Sequence, residues 1–287
     1  MQTKSIGNYL SLVKFSHTVF ALPFAAIGFT LGIIKVNFTV DWTMAVKVLL
    51  CMVFARTAAM AFNRWADQKY DVLNPRTAIR EVPAGIISSK SALIFTFISC
   101  MLFIATTWFI NSLCFYLSFV ALAVVLGYSY TKRFTALCHL ILGLGLSLAP
   151  IGAYLAVTAQ FDMLPIWFSL SVLCWVTGFD IIYALQDESF DRQEKLNSIP
   201  AYFGGKKALL ISRFMHISSS IFLLLAGIYG EFGLFYFTGY VFFSILLIYQ
   251  HSIVRTGDLT KVNMAFFTTN GIASVLFACF AIYDFLT

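Results

Sequence analysis

The sequence predicts an all-α integral membrane protein, a bundle of nine transmembrane helices, and three observations carry that prediction. Of 287 residues, 60% are hydrophobic and only 11% are charged, against a charged fraction of about 25% in soluble domains. Mean hydropathy is +0.86. Apolar runs of about 20 residues, enough to cross about 30 Å of hydrocarbon, recur along the whole chain.

The runs lie near 16–36, 42–62, 90–109, 111–128, 136–157, 164–182, 208–229, 232–250 and 264–286. The first continues too long, with no small-residue cleavage site after it, to be a removable signal segment. The longest polar stretch, 63–89, is too short for a soluble domain, so residues 1–287 read as a single transmembrane domain. Gly143, Gly145 and Gly152 are placed to let helices approach closely. The 31 phenylalanines read as packing or lipid-facing side chains. The six cysteines are scattered singly with no CxxC pair, which argues against a disulfide framework or thiolate metal site. His17, His139, His216 and His251 share no ligand spacing, which disfavours zinc or haem.

Positive charge sets the orientation. With the N-terminus in the cytoplasm, Lys4, Lys14, Arg64, Lys69, Arg76, Arg80, Lys90, Lys132, Arg133, Arg192, Lys195, Lys206, Lys207, Arg213, Arg255 and Lys261 all fall inside. Only Lys35 falls outside, while Lys47 and Arg56 lie within the second run. Lys47 is expected to snorkel. The net charge of +6 is then a topology effect in an inner (plasma) membrane, and no nucleic acid is needed to explain it.

Two acidic ladders end the second and sixth runs. One is Asn63-x3-Asp67-x3-Asp71, and the other is Tyr183-x3-Asp187-x3-Asp191, preceded by Asp180. Four-residue spacing puts each set on one helical stripe. The ladders are offset by 120 residues and each is followed by a Pro-Ala step, which reads as a weak parallel duplication with both ladders on one side. The long charged loops after them are expected to fold as short cytoplasmic cap helices over a central cavity, acting as lids. Carboxylates stacked beside hydrocarbon make sense around a cation. Oxygen ligands without histidine or thiolate favour a hard ion, Mg2+ first. Arg76, Arg80, Lys132, Arg133, Lys195 and Lys206 can grip phosphate oxygens. Read from the residues alone, the partner is a lipid phosphate or diphosphate.

The first ladder with Asn74-Pro-Arg76-Thr77-x2-Arg80-Glu-x-Pro83-x-Gly85, and the second with Asp180-x2-Tyr183-x3-Asp187-x3-Asp191, resemble the two signatures of the UbiA family of membrane prenyltransferases. Tyr128-Ser-Tyr-Thr-Lys132-Arg133 and Gly143-x-Gly145-x3-Leu148-Ala-Pro150-Ile-Gly152 are similar to its intervening stretches. Within the family the likeness is to the 4-hydroxybenzoate polyprenyltransferase branch and its menaquinone-pathway relatives. The resemblance implies nine transmembrane helices around a lipid-facing cavity, with Mg2+ as cofactor and an isoprenyl diphosphate and an aromatic acid as substrates. It implies a first metal set of Asn63, Asp67 and Asp71 and a second of Asp187 and Asp191, these four aspartates and Asp180 being catalytic. Substrate-binding residues would be Arg56, Asn63, Arg76, Arg80, Lys132, Arg133, Tyr183 and Lys195. The acceptor would be a 4-hydroxybenzoate or a naphthoate or futalosine-type precursor.

Competing readings attach to particular residues. The ladder acids can be solvated helix ends paired with arginines. Asp180 can be metal-linked, proton-accepting, or a partner for a buried arginine. Arg56 can bind the acceptor's carboxylate or pair with Asp180. Lys14 and His17 start the first run, where snorkelling is the default. A cation transporter would place its acids near the bilayer midplane, a phosphoalcohol transferase would need an Asp-Gly-x2-Ala-Arg run that is absent, and a scaffold would leave the acids without a purpose.

Overall fold

The computed structural model describes residues 2–13, 20–37 and 42–287; Lys14 and His17 lie outside the described residues. Thirteen α-helices are described: α1 (Gln2–Val13), α2 (Leu22–Lys35), α3 (Trp42–Ala66), α4 (Gln68–Leu73), α5 (Ser89–Trp108), α6 (Ser112–Thr131), α7 (Cys138–Thr158), α8 (Met163–Ala184), α9 (Glu188–Gln193), α10 (Ile199–Phe203), α11 (Gly205–Tyr229), α12 (Leu234–Ile253) and α13 (Asn270–Leu286). A 3-10 turn, Leu185–Asp187, precedes α9, and a π-helical turn, Met264–Thr269, precedes α13.

Among the described residues, eight helical segments are long and apolar enough to cross a membrane, against the nine predicted. The missing one is α2, which has 14 residues and rises only about 21 Å. Pro23 lies in its first turn, where a missing N–H is tolerated because that donor has no intrahelical partner. The other eight predicted runs correspond to α3, α5, α6, α7, α8, α11, α12 and the π-turn with α13.

The helices form two compact units, α1 with α3–α6 and α2 with α7–α13. In the first, α3 packs along α5, and a small core of Leu12, Ala61, Val82, Ile87 and Ala92 forms beneath Tyr9, Trp65 and Phe95. In the second, α8 packs between α7 and α11, while α2 lies on α7 and α12 on α13. Its centre is aromatic: Phe24, Phe168, Trp175, Tyr236, Phe243 and Phe277 are all fully buried. Trp175 donates its indole N–H to Asn270 Oδ1 at 2.8 Å, so its polar atom is satisfied inside that core.

Lys35, the lone outer base of the sequence reading, lies 3.2 Å from Asp162 at the start of α8, which also accepts from Tyr154. Burial raises the Asp162 carboxyl, but Lys35, the Leu164 amide and Tyr154 together outweigh that and hold it below its ordinary range. Gly143 behaves as predicted, since a Cβ there would sit 2.5 Å from Leu173 O. Gly152 does not: its Cβ position is open.

Candidate active site

The first ladder rides on the joint between α3 and α4. The sequence predicts an unbroken helical stripe, yet Asp67 stands between the helices at φ −91°, ψ 4°, in the sparsely allowed bridge region where active-site residues are common. The backbone bonds Asp67 N–H to Asn63 O (2.9 Å) and Asp71 N–H to Asp67 O (2.8 Å) survive the break. Aspartate is a poor interior helix residue and like charges four apart repel, so a joint at the middle acid is physically reasonable.

Local side chains then tie the ladder together. Asn63 donates to Asp67 Oδ2 at 2.8 Å and accepts weakly from Arg64 at 3.4 Å. Asp71 is buried, and Arg80 Nη1 reaches both its oxygens, at 2.8 and 3.0 Å. The Asn-Pro-Arg-Thr run brings Arg80 there by turning the chain. The Arg76 amide donates to Asn74 Oδ1 at 3.0 Å, Thr77 Oγ1 donates to Asp71 O at 3.1 Å, and Asn74 and Thr77 are both buried. Arg76 is half-buried. Arg56, on α3, is half-buried and interacts electrostatically with Tyr128.

Sequence reasoning missed Arg64, which it counted only as a topological charge. Its side chain is buried in the field of Asp71, Tyr128 and Glu81, with Arg80 opposing, and Glu81 in turn accepts from Ser11. A buried guanidinium needs such counter-charges, but they come from three separate positions in the chain, so no local pattern announces them.

The second ladder repeats the device. Beyond α8 the chain tightens into the 3-10 turn Leu185–Asp187, and Asp187 stands before α9 at φ −104°, ψ 3°. Three residues at three per turn rotate Asp187 by about 60° relative to an ideal α-helix, so the helix predicted through Asp187 is interrupted there. Tyr183 is half-buried, its ring centroid 4.3 Å from that of Phe266. Asp187 and Asp191 are buried, and Lys132 Nζ lies 2.6 Å from Asp191 Oδ1. Burial pulls the Lys132 ammonium down, but Asp191 beside it and Asp187 beyond carry it above the ordinary lysine range. Arg133 and Lys195 are exposed, with Lys195 in the left-handed region at φ 55°.

Asp180 has a partner that sequence reasoning discarded. His139 Nδ1 lies 2.7 Å from its Oδ2, so a hydrogen-bonding partner for Asp180 is present on α7 without any arginine. Forty-one positions separate the two residues, too far for any helical spacing to reveal.

The two joints are close copies. Each middle aspartate has bridge-region dihedrals, precedes a six-residue helix, and is followed by a final buried aspartate with a base on its carboxylate. The ladder donors are oxygens throughout, as a hard cation requires. Among the described residues, no group of three or more His, Cys, Asp or Glu side chains is placed to hold a metal ion by itself. An open oxygen site fits Mg2+, which takes one or two carboxylates and completes its shell with water and substrate phosphates.

The UbiA prenyltransferase family matches residues 21–272. The chain belongs to that family. This UbiA prenyltransferase is 30% identical over 251 residues to the 4-hydroxybenzoate octaprenyltransferase of Francisella tularensis subsp. novicida (strain U112), covering 86% of this chain and 84% of the relative. It is 28% identical over 223 residues to that of Tolumonas auensis, covering 78% of each. Among solved structures, the apo structure of a UbiA homolog from Aeropyrum pernix K1 superposes with a TM-score of 0.84 at 29% identity, over 93% of this chain and 98% of that one. A UbiA homolog from Archaeoglobus fulgidus bound to GPP and Mg2+ shares the fold, with a TM-score of 0.71 at 21% identity over 98% of this chain and 100% of that one. The chain is therefore a multi-pass membrane enzyme of prenyl transfer.

Proposed function

We propose that this enzyme catalyses Mg2+-dependent transfer of a polyprenyl group from an isoprenyl diphosphate to the ring of a 4-hydroxybenzoate-like aromatic acid, in respiratory quinone synthesis. The observation that carries the reading is the paired ladder ends, Asp71 with Arg80 and Asp191 with Lys132. A base resting on a carboxylate is poised to exchange it for a phosphate oxygen, an anion of similar reach. The relatives named 4-hydroxybenzoate octaprenyltransferase and the homolog bound to GPP and Mg2+ support it.

In this reading Asn63, Asp67 and Asp71 hold one metal and Asp187 with Asp191 another. Bound there, Mg2+ supplies Lewis-acid charge for the leaving diphosphate. Arg76, Arg80, Lys132, Arg133, Tyr183 and Lys195 bind the diphosphate. Arg56 holds the acceptor's carboxylate. The allylic carbon–oxygen bond breaks, the ring carbon beside the acceptor's hydroxyl bonds to the allylic carbon, and the ring proton leaves, with Asp180 as its acceptor. Water is kept from the allylic cation by the apolar surroundings. The distribution of basic residues supports a reading with the N-terminus and both ladders on the cytoplasmic face of the plasma (inner) membrane.

Membranes containing the protein, given a prenyl diphosphate and each candidate acceptor, should yield prenylated 4-hydroxybenzoate by mass spectrometry. Product only on a naphthoate or futalosine-type acceptor would move the enzyme to the menaquinone pathway. No product on any aromatic acid would end the aromatic reading.

Arg56→Lys keeps the charge and loses the planar fork. The acceptor KM should rise about 10–100-fold, as expected for losing a charge-assisted hydrogen bond of about 1.5–3 kcal/mol, while the KM for prenyl diphosphate holds. A change confined to the diphosphate KM would assign the acceptor's carboxylate to another base.

A further inference from the structure

We propose that His139 is a positioning residue for the second ladder, orienting Asp180 through one ring nitrogen and pinning the segment after Asp191 through the other. The inference rests on the function proposed above only where it concerns turnover.

The hydrogen bonds determine which nitrogen does which job. His139 is buried on the first turn of α7. Its Nε2 faces the Ile199 amide, which donates to it at 3.3 Å. A backbone amide can only donate, so Nε2 is the bare nitrogen of the ring and the proton sits on Nδ1. That proton is the one directed at Asp180 Oδ2, 2.7 Å away. A carboxylate held by one oxygen keeps its other oxygen in a fixed direction, the outer-partner device that orients reactive groups in enzyme sites.

The Ile199 contact has a second consequence. Ile199 opens α10, and the first amides of a helix lack intrahelical partners. Here each is accounted for: Ile199 by His139, Pro200 by having no N–H, and Ala201 by Ser198 Oγ at 3.3 Å. Neighbours on the same connector strengthen the pin. The Asn197 amide donates to Lys132 O at 2.7 Å, and Cys138 Sγ donates to Asn197 O at 3.5 Å. The Leu196 amide closes the segment back onto Asp191 O at 2.8 Å. Lys132, just after α6, and His139, on the first turn of α7, thus reach Asp191 and Asp180 with their side chains and accept from Asn197 and Ile199 in the segment after Asp191. The segment predicted to be a lid is, around residues 196–199, anchored to its own unit.

Two substitutions separate the roles. In His139→Gln the amide oxygen reaches the Nε2 position and still accepts from Ile199, but no donor remains at Nδ1. In His139→Asn the amide nitrogen takes the Nδ1 position and donates to Asp180, while Ile199 loses its acceptor. Kinetics with both substrates and hydrogen exchange across 197–201 are measured on the full chain in detergent. H139Q should keep wild-type exchange and lose about 10–100-fold in kcat with both KM values little changed. H139N should show at least about tenfold faster exchange across 197–201 and a smaller loss of kcat than H139Q. Wild-type kcat in H139Q would overturn the orienting role, and unchanged exchange in H139N would overturn the pin. Parallel loss of kcat, exchange protection and folded protein in both variants would reduce His139 to a packing residue and overturn the proposal. Failure of the wild-type protein to prenylate any aromatic acid would sink the proposed function instead, and the exchange result would still judge the pin.

Discussion

Asp191→Ala is expected to abolish prenyl transfer while leaving a folded, inserted protein. The Asp191 side chain is fully buried, and Lys132 Nζ sits 2.6 Å from it with about a third of the lysine side chain still exposed. In the proposed site, removing the carboxylate takes away the last oxygen donor of the second ladder and leaves Lys132 without the anion 2.6 Å from its Nζ. Because Lys132 can turn to solvent, the folding cost should stay below the roughly 3–5 kcal/mol of breaking a wholly buried pair. Asp67→Ala should do the same from the other ladder. It removes the joint's side chain and the acceptor for Asn63. Diphosphate release and prenylated product should both fall by about a thousandfold or more, the scale on which preorganised charge stabilisation is lost in enzymes. Size-exclusion profiles should match wild type. Full activity of either variant at ordinary Mg2+ concentration would remove these carboxylates from the mechanism.

Gly28→Val should fail in the opposite way, through the fold. Gly28 lies on α2 against Pro150 on α7, and a Cβ there would stand 2.0 Å from the Pro150 carbonyl oxygen. The obstacle is backbone, so no side-chain rotation relieves it, and α2 must move off α7. Overpacking of this kind costs about 1–3 kcal/mol and sometimes more; here the helix that loses contact is also the shortest of the apolar ones. The monodisperse fraction in detergent and the melting temperature should both drop sharply. Any activity should fall only in proportion to the folded protein that remains. A variant as stable as wild type would mean the two helices are not in backbone contact.

The membrane class, the approximate ends of eight spanning segments and the position of both acidic stretches at helix ends were legible because each depends on a one-dimensional pattern. About 20 contiguous apolar residues are needed to cross hydrocarbon, and acids at four-residue spacing are visible wherever a helix is assumed. Those inferences fail where the helix itself changes. Both ladders were drawn on unbroken α-helix, and in both the helix breaks at the middle acid, although Asn63 still donates to Asp67 across one turn. The first apolar run counted as a full span, yet the helix described there begins only at Leu22.

By itself the sequence determined that this chain is a helical membrane protein carrying two oxygen-rich signatures of prenyl transfer, since composition, run length and residue spacing are all written locally. Only the tertiary structure decided which base rests on which acid. Arg80 reaches Asp71 because a buried Asn74–Thr77 turn folds the chain back. Lys132 and His139 reach Asp191 and Asp180 because α7 packs along α8 and sets the residues at and before its start beside them. Burial selects those pairings: an ionic or polar group placed next to hydrocarbon must find a partner somewhere in three dimensions, and nothing in the linear spacing says from which helix that partner will come.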